Sequence, residues 1–294
     1  MSSPRNPLVE VVRRVRSPAF DCFIAAHRGD SRAAPENTLA AFESAIAAGS
    51  DLIELDVHLT ADGEVVVFHD GKLDRTTNGT GELRVRTLAE LRELDAGGWF
   101  DPRFAGEKIP TLDEMLDLVR GRVVPMIEVK GRQSRTTAMA GIIVKALADR
   151  DMLGEAIIFV REKGRAKEFH ELAPELPVGL VAFTGFQARG LIKLPYVMGV
   201  DQYWKSLSPK LVREIHESSC FVTPWTVNRA EDMRRCIALG VECLITDSPT
   251  LMRDVLEDLE VRRVARDEPE LDLESDEVLE EHEALTDEQA EADL

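Results

Sequence analysis

The sequence predicts an α/β fold, a TIM (β/α)8 barrel, with a β-hairpin excursion after the second strand and a disordered acidic C-terminal tail. Three observations carry this. Eight short apolar strand-like runs alternate with helical stretches, within the roughly 250 residues such a barrel needs. One Asp-Gly turn interrupts the alternation with a strand that is too close to be a parallel neighbour. Charged side chains gather at the carboxyl ends of the strands, where this fold carries its chemistry.

The elements follow in order. Residues 22–26 form a short apolar strand. Residues 38–48 are helical, with Leu39, Phe42 and Ile46 on one face and Gly49 as the stop. Residues 52–56 are the second strand, continuing toward His58. The turn Thr60-Ala61-Asp62-Gly63 then returns the chain, so residues 64–69 run antiparallel and bring His69 level with Glu54 and Asp56. Residues 71–110 are the longest excursion and are expected to cover part of the barrel mouth. Thr87 with Glu90, and Thr111 with Glu114, have capping-box spacing and open two helices. Residues 123–130 are the third strand, followed by a helix over about 135–150. Further strands fall at 156–160, 178–182, 197–201, 220–225 and 243–246. Ser208-Pro209 and Ser248-Pro249 each place a cap before proline at the first helical position.

A hydrophobic share of 44% supplies the core for one large domain. We assign residues 1–20 to an N-terminal segment, 21–262 to the barrel domain and 263–294 to the tail. The net charge of −18 sits mostly in that tail: residues 267–294 hold five Asp, nine Glu and neither Lys nor Arg. With few large apolar groups, they cannot offset their ordering entropy. The body is close to neutral and has no basic surface, which argues against nucleic acid as a partner. No run reaches the roughly 18 apolar residues of a membrane span, and no signal-peptide pattern opens the chain. Cys22, Cys220, Cys236 and Cys243 lack metal-site spacing and suit reduced thiols of a cytoplasmic protein, three of them in strands.

The chemistry lies at the strand ends. Glu54 and Asp56 are two apart on a strand and share a face. Buried together they need a cation, and Glu128 adds a third carboxylate at another strand end. Three carboxylates without sulfur favour Mg2+ or Ca2+ over zinc. His27 ends the first strand and His69 the hairpin, so one imidazole can take a proton and the other give one. Arg28 offers planar donors to phosphate oxygens and Lys130 a point charge. Glu36 is placed to orient Arg28, while Asn37 and Thr38 suit a helix start. Trp225 either lines the pocket or plugs the barrel top. His58 lies beyond the rim, off the metal pattern. His170 and His216 suit exposed helix faces, and Thr76-Thr77-Asn78-Gly79 suits a turn.

These motifs together resemble the glycerophosphodiester phosphodiesterase family. They include A-H-R-G at 26–29, P-E-N-T at 35–38, E-L-D-V at 54–57, L-T-A-D-G at 59–63 and V-V-V-F-H-D at 65–70. D-R-T-T-N-G at 74–79, I-E-V-K at 127–130, W-T-V-N at 225–228 and L-I-T-D-S-P at 244–249 complete the set. Glu242-Cys243 departs from the family's frequent Asp-Gly, away from the chemistry. The resemblance implies a TIM barrel that hydrolyses glycerophosphodiesters to glycerol 3-phosphate and an alcohol. It assigns metal ligation to Glu54, Asp56 and Glu128, catalysis to His27 and His69, and substrate binding to Arg28 and Lys130. Water or the glycerol 2-hydroxyl can be the attacker.

Two other functions remain in view. One is a lysophospholipase D-like enzyme on acylated substrates, with Phe100, Phe104, Phe183, Phe186 and Trp204 as groove candidates. The other is a catalytically silent barrel that only binds phosphodiesters. The sequence does not choose between Mg2+ and Ca2+, select a head group or fix an oligomeric state.

Overall fold

The computed structural model describes residues 7–15, 19–131 and 137–267. Its parallel strands are β1 (Phe23–His27), β2 (Leu52–Leu59), β4 (Val124–Val129), β5 (Ile157–Val160), β6 (Val178–Ala182), β7 (Gly199–Tyr203), β8 (Phe221–Trp225) and β9 (Cys243–Thr246). They pair in the order β8-β7-β6-β5-β4-β2-β1-β9. The seam between β8 and β9 closes through few bonds: the Val227 N–H donates to Ile245 O at 2.9 Å, and the Val222 N–H to Glu242 Oε2 at 3.2 Å. Glu242, where the sequence departs from the family, thus helps shut the ring. His216, half-exposed on its helix, lies 2.9 Å from the other oxygen of Glu242.

The helices are α1 (Pro7–Val15), α2 (Leu39–Ala47), α3 (Leu88–Arg92), α4 (Leu112–Val119), α5 (Thr137–Ala148), α6 (Lys163–Leu172), α7 (Gly185–Leu191), α8 (Pro209–Glu217), α9 (Ala230–Ala238) and α10 (Pro249–Asp267). The expected caps at Thr38, Thr87, Thr111 and Ser208 hold. Thr38 and Ser208 accept the N–H three residues on, and Thr87 and Thr111 each complete a capping box with Glu90 and Glu114. The start of the 135–150 helix and the tail beyond Asp267 lie outside the described residues. The chain divides into a unit ending at Leu256 and one beginning at Glu257; of the second, the end of α10 is described.

The antiparallel return is present as β3 (Val65–Val67), shorter than expected but in the expected register, with Val67 opposite Val57. The Phe68 N–H then donates to Asp56 O at 2.8 Å and holds His69 beside the acids. β7 lies two residues later than its apolar run suggested, because Asp201 and Gln202 are buried inside it, at 6% and 0% exposure. Cys22 and Cys220 immediately precede strands rather than lying in them; all four cysteines are buried and free. The excursion has a small core of its own, built on Val66, Phe68, Leu73, Leu83, Leu91 and Ile109.

The barrel interior is apolar at its amino end. Leu8, Val11 and Val12 of α1 pack against Leu52, Val124, Phe159 and Phe221, so the N-terminal helix stoppers the floor. Phe159 and Phe221 meet edge to face, with ring centroids 6.2 Å apart. Glycine on the neighbouring strands makes room for them. A Cβ on Gly179 would stand 2.2 Å from the Phe159 ring, and one on Gly199 2.3 Å from Phe221.

Gly179→Ala and Gly199→Ala are each expected to lower unfolding free energy by about 1–3 kcal/mol through overpacking. Gly190→Ala, in open space on α7, is expected to leave it unchanged or raise it by up to ~1 kcal/mol. Denaturant midpoints of the three variants check this.

Candidate active site

β2 supplies two carboxylates to one face. Strand pleating turns both Glu54 and Asp56 into the barrel, and both are buried. β4 places Glu128 directly beside Asp56 in register. One oxygen from each of the three lies within 4.8 Å of the others.

Three cations reach them, the outermost being Arg161, whose Nε donates to Glu128 Oε1 at 3.3 Å. Lys130 Nζ is 2.8 Å from Asp56 Oδ1 and 2.7 Å from Glu128 Oε1. Arg28 Nε is 3.2 Å from Asp56 Oδ2, and its Nη1 donates to Glu36 Oε1 at 2.7 Å. Burial, and then the charge on Asp56, push the Glu54 carboxyl well above the usual carboxylate range. Burial pushes Asp56 the same way, but Lys130 and Arg28 outweigh it and hold Asp56 below that range. Burial also opposes the charge on Lys130 and Arg28; the neighbouring carboxylates overcome this and raise both. These cations pair with Asp56 and Glu128, and among the described residues no Lys or Arg side chain pairs with Glu54, which leaves it under-compensated. Oxygens bound to one Mg2+ or Ca2+ at about 2.0–2.6 Å lie no more than about 5 Å apart. The triad's spacing therefore fits a divalent cation, and Glu54 is where its charge is needed.

Local backbone strain aims these groups. Arg28 and Asn37 both adopt left-handed conformations, with φ of 58° and 57°, a region side chains enter only where contacts enforce it. The Arg28 N–H donates to Glu54 O at 2.9 Å, and the Asn37 N–H to Arg28 O at 2.9 Å. Asn37 does more than start a helix. Its Nδ2 donates to Asp56 Oδ2 at 3.0 Å, and its Oδ1 accepts the Asp56 N–H at 3.3 Å.

Each histidine of the expected pair rests on a carboxylate. His27 Nδ1 donates to Asp247 Oδ1 at 2.6 Å, and Asp247 also accepts from Ser31 Oγ at 3.2 Å and Asn228 Nδ2 at 2.5 Å. His69 Nδ1 donates to Asp70 Oδ1 at 2.6 Å. Burial raises both aspartates, but their hydrogen-bonded partners win and hold them below the usual range. With Nδ1–H given to a carboxylate, Nε2 is the nitrogen left for proton transfer. Burial, aided by Arg28 and Lys130, lowers His69 below the ordinary imidazole value.

Arg75 ties these parts together from the D-R-T-T-N-G segment. Its Nη1 and Nη2 donate to the two oxygens of Glu36 at 2.7 Å each, and its Nε to Asp70 Oδ2 at 2.6 Å. Glu36 holds Arg28 and Asp70 holds His69, so one guanidinium from the excursion links the Arg28 guanidinium to the His69 imidazole.

Seven of the eight expected site residues line one small cavity of about 50 Å³: His27, Arg28, Glu54, His69, Glu128, Lys130 and Trp225. Asp56 lies just behind it on Lys130. A larger hollow of about 390 Å³ shares His69, Glu128, Lys130 and Arg161 with the cavity. His58 stays off the triad and gives its Nε2–H to His69 O at 3.0 Å. The sequence reading missed Asp247, Asp70, Asn37, Arg75 and Asp201. Asp247 had a signal, since it directly follows the last strand; Arg75 had none beyond a turn-like segment.

The sequence pattern of the glycerophosphoryl diester phosphodiesterase family matches residues 27–251. A glycerophosphodiester phosphodiesterase of Caldanaerobacter subterraneus subsp. tengcongensis is 38% identical over 228 residues, covering 77% of this chain and 94% of that protein. One of Bacillus subtilis is 35% identical, covering 78% and 85%. The solved structure of an Oleispira antarctica phosphodiesterase in complex with the product sn-glycerol-3-phosphate matches with TM-score 0.74 and 26% identity, covering 80% of this chain and 96% of that one.

Arg75→Ala is expected to lower kcat on a glycerophosphodiester by about tenfold or more, since small misplacements of catalytic groups are costly. Arg75→Lys is expected to recover only part, because lysine cannot hold both oxygens of Glu36 and reach Asp70. Steady-state kinetics of the pair checks the tie.

Proposed function

The chain belongs to the glycerophosphoryl diester phosphodiesterase family and is an enzyme that hydrolyses glycerophosphodiesters, and we propose that it does so in a metal-dependent reaction with His27 and His69 as the acid–base pair. The products are glycerol 3-phosphate and an alcohol. The observation that carries the proposal is two carboxylate-anchored imidazoles beside three clustered carboxylates, with both rings and Glu54 and Glu128 lining one cavity.

A divalent cation, Mg2+ or Ca2+, held by Glu54, Asp56 and Glu128, would polarise a nonbridging phosphate oxygen. Arg28 and Lys130 offset the charge that builds on the phosphoryl oxygens. One imidazole takes the proton of the attacking hydroxyl through Nε2. The other gives a proton to the alcohol oxygen as its bond to phosphorus breaks. Asp247 and Asp70 keep both rings oriented and stabilise whichever ring is charged. Trp225 lines the cavity beyond the triad. The attacking oxygen belongs to water or to the glycerol 2-hydroxyl, the latter through a cyclic phosphate; the same residues serve both. The barrel domain of residues 21–262 is the catalytic unit in this reading. Four free, buried cysteines suit the reducing cytoplasm as its location. No helix of the described residues is long and apolar enough to cross a membrane.

A second reading, hydrolysis of lysophospholipids that keep an acyl chain, rests on Phe183 and Phe186, which are 43% and 86% exposed. Phe183 meets Trp225 edge to face at 5.3 Å, at the cavity's edge. Phe100 and Phe104 pack on each other within the excursion instead, at 5.8 Å.

His27→Ala and His69→Ala are each expected to cut kcat by at least about 10²-fold. Chelation is expected to abolish turnover, and Mg2+ or Ca2+ to restore it. Near-normal rates in either variant, or full activity in chelator, contradict the mechanism. Rates on glycerophosphocholine are expected to exceed those on lysophosphatidylcholine, and the reverse order supports the second reading.

A further inference from the structure

Asp201 is a buried acid that the mechanism above leaves unused. It lies on β7, half-way round the eight-strand ring from β2 and its carboxylates. Its neighbours in register are Val181 on β6 and Thr223 on β8. Val181 belongs to the barrel's inner core, which sets Asp201 on the inward face. The residue lines the small cavity, but its oxygens do not join the cluster formed by Glu54, Asp56 and Glu128.

A barrel interior is ordinarily filled by branched apolar side chains, and a carboxyl buried there is costly unless it is bonded. Asp201 has a protein donor on one oxygen, Thr223 Oγ1 at 3.2 Å. On the same side of the cavity, the buried Trp225 indole N–H has no hydrogen-bond partner among the described residues. This wall therefore carries polar groups that an apolar barrel filling would not have required.

We propose that Asp201 is a specificity-determining residue whose carboxyl hydrogen-bonds the terminal hydroxyl of the substrate's glycerol, with Thr223 fixing its orientation. This rests on the reading that the scissile phosphate sits at the triad. The terminal hydroxyl is the part of glycerol farthest along the chain from phosphorus, so it reaches toward the wall opposite β2. Burial, reinforced by Glu128, raises the Asp201 carboxyl well above its usual range. It can therefore keep its proton and donate to the hydroxyl as well as accept from it. A site built around such a bond discriminates against a substrate that lacks the hydroxyl, because its own polar group is then left unpaired.

The test compares kcat/KM for a glycerophosphodiester and for its analogue with hydrogen in place of the terminal hydroxyl, in the metal-loaded wild type, Asp201→Ala and Asp201→Asn. The wild type is expected to prefer the hydroxylated substrate by about tenfold or more, the worth of a buried hydrogen bond. Asp201→Ala is expected to lose that preference, chiefly through KM, while its rate on the deoxy analogue stays within about threefold of wild type. Asp201→Asn is expected to regain most of the preference. Equal loss on both substrates, or a preference unchanged in Asp201→Ala, overturns the assignment. A wild-type preference below about threefold overturns it without any variant. Failure of the underlying reading shows differently, as His69→Ala turning over either substrate at wild-type rate.

Discussion

Three carboxylates in one low-dielectric corner of a barrel are the constraint on which the site depends. Like charges this close raise one another's cost of ionisation, and the protein meets that cost only in part. Lys130 lies between Asp56 and Glu128, and Arg28 lies against Asp56. Asp56 is thereby kept ionised, while Glu54 is pushed toward its protonated form. The arrangement is short of positive charge at Glu54. In the proposed reaction, that shortage is where the charge of a divalent cation would be needed.

The fold serves this imbalance. An apolar floor, filled by α1 and by the Phe159–Phe221 pair, leaves polar side chains to the carboxyl ends of the strands. The hairpin brings His69 back to the acids it passed, and β1 and β9 deliver His27 and Asp247 to adjacent positions. Left-handed backbone at Arg28 and Asn37 re-aims the chain where a regular strand end would have pointed elsewhere. Arg75 ties the excursion to the site, because it binds the carboxylates that hold Arg28 and His69.

Much of this was legible in the sequence. The eight-strand alternation, the Asp-Gly hairpin and the two capping boxes each rest on short-range rules and reappear in place. Glu54, Asp56, Glu128, His27 and His69 could be read because strand ends are where a barrel exposes chemistry. What was hidden depends on contacts between distant segments. Asn37 looks like a helix start until its amide is seen on Asp56, nineteen residues away. Arg75 looks like part of a turn until it spans Glu36 and Asp70. Asp201 was passed over because an apolar run seemed to end at it, although β7 continues with polar residues buried inside the ring.

The most direct measurement is calorimetric titration of Mg2+ or Ca2+ into metal-stripped protein, alongside Glu54→Gln. The account expects one ion per chain in the wild type and loss of that binding in the variant, with both proteins folded. Equal binding by the two, or none by the wild type at concentrations that support turnover, would contradict a cation held at the carboxylate cluster.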